Sequence, residues 1–316
     1  MTAPPLLVLG VRRSGTTLLR VMLDRHSQLA VPDESYFIPQ LADRHRGPIQ
    51  VDRFVDDLRR LPTLQDWGVS AESVRQRLIP GMPPGKAIAA VYETYAAALG
   101  KPRWGDKTPM YMQRLATLER LLPDARYVHL IRDGRDCALS FLQMPRGIVT
   151  RSWAYPTDAA GFACQWRAEV RAAQALGHRA GGRYLEIRYE ELVERPDEVV
   201  RLICEHVEIP FEPSMLEYAG DVDVSTKPHQ QSLARPPTAG LRDWRADMPA
   251  TDERAFEAVA GDLLAALGYE TRAAATLAGR VHRAAYGARV LAWNVTGTAV
   301  RRSPVWRRRH PILASS

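Results

Sequence analysis

Residues 6–24 read LLVLGVRRSGTTLLRVMLD, and the part from Leu6 to Thr17 decides the fold. Leu6 to Leu9 is a short, fully apolar run that stops at Gly10, as a strand buried on both faces does. Beyond the loop, Leu18, Leu19, Met22 and Leu23 recur at helical spacing. Strand, glycine loop and helix thus follow without a break. The loop N–H groups and the positive end of the helix dipole then converge on one point, which suits a tetrahedral oxyanion. The nucleotide-binding signature G-x-x-x-x-G-K-[ST] is nearly present: Gly10, Gly15 and Thr17 fall in place, but Thr16 stands where the lysine belongs. That lysine reaches the β/γ-phosphates of a triphosphate, and threonine cannot. Arg12 and Arg13 instead put two charges in the loop, and Thr16 and Thr17 offer hydroxyls at the helix start. The combination fits a short anion held by hydrogen bonds and arginine without a metal, with Arg12 equally consistent with a solvent-facing side chain.

The plan repeats. RYVHLI (126–131) has a buried-strand pattern, RDG makes a turn and RDCALSFL opens a helix; RYLEI (183–187) leads through RYEELVERP into the helical VVRLICEHV. Strands alternating with helices predict an α/β fold of P-loop type, in three layers with a central parallel sheet flanked by helices. Helical stretches are expected around 86–100, 111–122 and 158–180. Residues 220–250 lack periodicity and read as a long functional loop.

With 46% hydrophobic and 25% charged residues, the 316-residue chain has the composition of a globular protein. Its formal charge of +7 is unevenly spread: residues 271–316 hold nine arginines and no carboxylate side chain, which leaves about −2 for residues 1–270. The expected division is a main domain, 1–270, and a basic helix and tail, 271–316. From Ala273 to Ala299, Leu277, Val281, Ala284, Ala288, Leu291 and Val295 make an apolar stripe, and Pro304 should end the helix. Two readings stand: a helix packed on the domain with a solvated basic tail, or a peripheral contact with an anionic membrane face. Cys137, Cys164 and Cys204 read as reduced, buried thiols of a cytoplasmic protein. The N-terminus has no leader-like or membrane-spanning pattern, and the high Ala and Arg content fits a bacterial source.

Two further motifs join the loop, and together they carry a resemblance. RRSGTTLLRVMLD resembles the 5′-phosphosulfate loop of sulfotransferases that use 3′-phosphoadenosine 5′-phosphosulfate (PAPS), and LIRDGRDCALS resembles their 3′-phosphate motif. The similarity covers roughly residues 5–270. It is strongest to the branch with tyrosylprotein sulfotransferases and many bacterial sulfotransferases, through RSGTTLLRVMLDRH, VPDESYFIP and WGDKTP. The resemblance implies that Arg13, Ser14, Gly15, Thr16 and Thr17 bind the 5′ end of the cofactor, that Arg132 and Ser140 hold its 3′-phosphate, and that Tyr189 lines its pocket. As an alternative, Tyr189 is a core aromatic. It further implies Glu34 as general base, with Asp33 as competitor, and Lys107 as the cation at the leaving phosphate. Arg13 shares the charge on the sulfuryl group. A surface Lys107 paired with Asp106 is the structural alternative. Glu34 follows a short LAV run and should end a strand beside the loop. Ser225, Ser232 and Arg235 match the family's late cofactor contacts only loosely.

No metal cluster is expected, and His26 and His129 read as structural. A nearly neutral main domain argues against nucleic acid and acidic polymers. The expected acceptor is a hydroxyl on a small metabolite, sugar or glycolipid, with peptide tyrosine as the alternative. A P-loop kinase or NTPase and a non-catalytic membrane-bound adaptor complete the field. The product of the preferred reaction would be PAP.

Overall fold

The computed structural model describes residues 3–144, 155–217, 243–272 and 275–302. Five strands, β1 (Leu6–Leu9), β2 (Leu29–Ala30), β3 (Arg103–Lys107), β4 (Arg126–Ile131) and β5 (Tyr184–Arg188), form one sheet in the order β2-β3-β1-β4-β5. All pairings are parallel. Leu6 of β1 lies opposite Gly105 on one side and Arg126 on the other. The loop after Leu9 therefore emerges between the carboxyl ends of β3 and β4, the place where open parallel sheets bind ligands.

Side-chain alternation along β1 builds two cores. Leu7 and Leu9, with Tyr127 of β4, pack under the helices Val51–Leu58 and Pro84–Ala98. Leu6 and Val8, with Val128 and Leu130, pack under Thr16–Asp24 and Pro196–Val207. Burial on both faces explains why these strands are apolar throughout. A third core, including Val11, Ile131, Phe162, Trp166 and Phe256, fixes the helices Gly134–Leu142, Ala159–Ala180 and Ala250–Ala266 at the carboxyl end of the sheet.

Two expectations about the elements need correction. The 111–122 stretch is a 3-10 turn, Pro109–Gln113, followed by the helix Leu115–Leu121. The LAV strand is only Leu29–Ala30, so Glu34 lies beyond its end rather than at it, and β3 separates that strand from the loop strand. A Cβ at Gly105 would stand 2.9 Å from the Leu6 carbonyl oxygen, so glycine lets β3 approach β1 closely. Within the expected 220–250 loop, residues 220–242 lie outside the described ones, whereas Trp244–Asp247 is a short helix. Ser225, Ser232 and Arg235 fall in the undescribed part, as does Pro304.

The three cysteines are buried and unbonded to one another. His26 is structural: its Nδ1 accepts from the Gln28 N–H at 2.9 Å, which makes Nε2 the donor to the Pro210 carbonyl at 2.7 Å. His129 meets Tyr184 Oη through Nδ1 at 2.6 Å, and burial lowers its pKa to about 3, so it stays neutral. Among the described residues no helix is long and apolar enough to cross a membrane. A C-terminal helix, Leu277–Arg302, packs on Ala250–Ala266 and Ala159–Ala180.

Candidate active site

The glycine loop owes its shape to two residues in left-handed backbone. Gly15 has φ 90°, and a Cβ there would come within 2.4 Å of the Tyr189 ring, so only glycine lets that ring lie against the loop. Arg13 has φ 69°, a conformation that costs a non-glycine residue on the order of 1–3 kcal/mol and that clusters at functional sites. Its Nε donates to Ser140 Oγ at 2.8 Å. Ser14 is buried against Cys137, Thr16 opens the helix and is buried, and Thr17 follows it half-buried. The loop and the Gly134–Leu142 helix, read separately from sequence, are thus joined through Arg13 and Ser140.

Arg132 leaves the end of β4 and lies over the Tyr189 ring at 4.4 Å, with Asp136 3.5 Å away. Its Nε is buried without a hydrogen-bond partner. A buried guanidinium nitrogen left unsatisfied is costly, and an anion beside it would remove the cost. Tyr189 packs on the core beneath the loop, and its ring carries Arg132. Burial pushes Asp136 up to about 6, with Arg132 pulling the other way.

Across the loop stands a second cluster. Lys107 ends β3, is 2% exposed, and donates from Nζ to Glu34 Oε1 at 2.6 Å and to Thr17 Oγ1 at 3.3 Å. The alternative of a surface lysine paired with Asp106 is overturned. Asp106 and Lys107 are neighbours in a strand, so their side chains point to opposite faces. Glu34 remains 26% exposed, and Tyr36 Oη donates to its other oxygen. Burial alone would raise the Glu34 pKa. The Lys107 charge and the hydrogen bonds from Lys107 and Tyr36 outweigh it and hold the carboxyl below its ordinary value. Burial lowers the Lys107 pKa, against the pull of Glu34. Asp33, the competing carboxylate, is half exposed and pairs with Arg20 at 3.2 Å.

Sequence reasoning missed the floor beneath this pair. Asp106 Oδ2 accepts from Ser35 Oγ at 2.7 Å, Tyr92 Oη at 2.7 Å and Thr108 Oγ1 at 3.2 Å, and Ser35 Oγ meets Tyr111 Oη at 2.7 Å. Full burial pushes Asp106 up to about 6 despite these hydrogen bonds. The network ties the residue after Glu34 to the residue before Lys107, and so fixes the spacing of the pair. The available signal was alternation in Asp106-Lys107, which turns the two side chains of that strand to opposite faces; Ser35 lies outside any strand and carried no such signal. Arg12 is not solvent-facing, for it bonds Tyr155 Oη at 2.5 Å and lies over that ring.

Protein-tyrosine sulfotransferase A of Caenorhabditis elegans is 26% identical over 281 residues, spanning 86% of this chain and 69% of that protein. Nodulation protein NoeE of Sinorhizobium fredii is 28% identical over 294 residues, 83% of this chain and 65% of that protein. The sulfotransferase domain of the Synechococcus PCC 7002 olefin synthase shares the fold with a TM-score of 0.56 and 25% identity, over 85% of this chain and 97% of that one. With residues 4–213 matching the Sulfotransferase family, over a stretch that runs from the glycine loop through Glu34, Lys107, Arg132 and Ser140, the chain belongs to that family.

Proposed function

We propose that the protein transfers a sulfuryl group from PAPS to a hydroxyl acceptor. The observation that carries the reading is the Glu34–Lys107 pair, 2.6 Å apart and one hydrogen bond from Thr17 of the anion loop. A base and a cation that meet at the loop also favour an enzyme over a non-catalytic adaptor. The residues present fit the donor: Arg13, Ser14, Gly15, Thr16 and Thr17 would hold its 5′ end, Arg132 with its unpartnered Nε and Ser140 its 3′-phosphate, and Tyr189 the wall between. When bound, PAPS supplies the sulfuryl group and a phosphate as leaving group.

The chain's own residues do the rest. Glu34, ionised and partly open to solvent, takes the proton of the acceptor hydroxyl at its carboxylate. Lys107 and Arg13 provide positive charge where negative charge develops. The Ser35–Asp106–Tyr111 floor holds Glu34 and Lys107 in position. While Lys107 bonds Glu34, the carboxylate is a weakened base. A shift of the ammonium towards Thr17 and the loop releases Glu34, so filling the anion site and arming the base are one event. Thr16 in place of lysine disfavours a kinase or NTPase, and magnesium-dependent turnover of ATP would revive that reading.

The acceptor belongs to this proposal as a hydroxyl on a small metabolite, sugar or glycolipid. A near-neutral main domain supports that class, and cytoplasmic, metal-free operation goes with it. Similarity to protein-tyrosine sulfotransferases favours peptide tyrosine as the second reading. Incubation with sulfur-labelled PAPS and a panel of sugars, glycolipids and tyrosine peptides tests both. Label in a sugar or glycolipid supports the first reading, and label only in peptides replaces it with the second. No transfer to any acceptor, together with magnesium-dependent ATP turnover, overturns sulfuryl transfer.

A further inference from the structure

The C-terminal helix is packed inside out. Leu277, Val281, Leu291 and Val295, the large residues of its apolar stripe, are 76%, 64%, 65% and 60% exposed. An apolar stripe ordinarily faces the core. Here the opposite face does so, and its contacts are specific. Thr276 caps the helix by accepting from the Gly279 N–H at 3.1 Å, and its own N–H donates to the Ala258 carbonyl at 3.0 Å. A Cβ at Gly279 would lie 1.7 Å from that carbonyl oxygen, so only glycine permits the approach. One turn on, Arg283 donates to the Val259 carbonyl at 2.7 Å and sits 3.7 Å from Asp262, and Tyr286 packs on the third core. The polar and small-residue face is therefore anchored, and the stripe is held outward.

What covers the stripe must also accept its charge. Residues 271–316 carry nine arginines and no acidic side chain, and Arg280 is exposed beside the stripe. Arg272 and Arg283 are already paired with Glu253 and Asp262, so the charge left for a partner is that of Arg280 and of the arginines that follow in the sequence. A surface that offers apolar depth beneath a layer of negative charge satisfies both halves. We propose that the outer face of Leu277–Arg302 is a docking face for an anionic lipid bilayer, with Leu277, Val281, Leu291 and Val295 entering the headgroup boundary and the basic residues meeting lipid phosphate. The fold sets its orientation, because Gly279, Arg283 and Tyr286 fix the helix on the enzyme side. This holds whatever the catalytic activity is.

The test is co-sedimentation of the full chain with vesicles of phosphatidylcholine alone and of phosphatidylcholine mixed with phosphatidylglycerol, with PAP titrated in parallel. The expected result is binding to the mixed vesicles only, reversed by high salt. Leu291→Ser with Val295→Ser should reduce it about tenfold or more, without loss of PAP binding or helicity. The pair is exposed, so the double variant folds. Equal binding to neutral vesicles, no binding to either, or full binding by the double variant each overturns the proposal. A self-association that the same substitutions abolish also overturns it and assigns the stripe to a second copy. Loss of lipid binding with PAP binding kept leaves the proposed reaction untouched.

Discussion

Two buried cations in this molecule are paired in opposite ways. Arg135 is fully buried, and each of its nitrogens is occupied: Nε and one terminal nitrogen by Asp133 at 3.1 and 2.7 Å, the other by Glu257 at 2.6 Å. Trp244 covers the guanidinium at 3.5 Å. Lys107 is almost as buried, but its partner Glu34 reaches solvent, and a second acceptor, Thr17, lies at the loop. The first arrangement is closed and has nothing left to exchange. The second can give up one partner for another. A closed cluster locks the helix Gly134–Leu142 to Ala250–Ala266, whereas the open one leaves Lys107 with a partner that solvent reaches.

Breaking the closed cluster should have the largest effect. Arg135→Ala removes the buried cation that Asp133 and Glu257 share, and should cost about 3–5 kcal/mol of stability by denaturant titration. A loss under 1 kcal/mol would show that the cluster is not the lock. In the open cluster, Glu34→Gln should lower turnover about 10²-fold or more, within the range for a lost general base, with PAP affinity little changed. Near-normal turnover would remove Glu34 from the mechanism. Arg132→Ala should weaken PAP binding by about 2 kcal/mol, as for a lost charge-assisted contact, and unchanged affinity would move the 3′-phosphate site elsewhere.

The pH profile sharpens the contrast. Glu34 is held below its ordinary pKa, so activity is present above that depressed value and lost as pH falls through it. In Lys107→Ala, burial acts with less opposition, the Glu34 pKa rises, and the acid limb of kcat/KM moves to higher pH. An unmoved limb would mean that the pair is not coupled. The smallest effect is reserved for Asp33→Asn. Its exposed pairing with Arg20 should be worth less than about 1 kcal/mol, and turnover should stay within about twofold.

β4 and β3 show why part of the fold was legible. RYVHLI is mostly apolar because Tyr127 and Val128 to Ile131 are buried on both faces of β4, and its pattern reveals the strand. RWGDK is as deeply buried, but it carries a glycine for close packing, an aspartate for the floor and a lysine for the site. Those three residues erase the strand pattern. Glu34, Lys107, Arg132 and Ser140 could be named by motif. The Arg13–Ser140 bond, the Tyr36 contact and the Ser35–Asp106 floor could not, since each joins segments whose proximity only the sheet order supplies. The C-terminal stripe was visible as a stripe, but which face met the protein depended on Gly279 and Arg283.

Calorimetric titration of the purified protein with PAP, and separately with ATP and magnesium, decides whether the loop without its lysine serves sulfuryl transfer. Tight PAP binding in the absence of metal, with no comparable binding of magnesium-ATP, is the predicted result. A preference for magnesium-ATP would contradict it and make the protein a P-loop nucleotide enzyme.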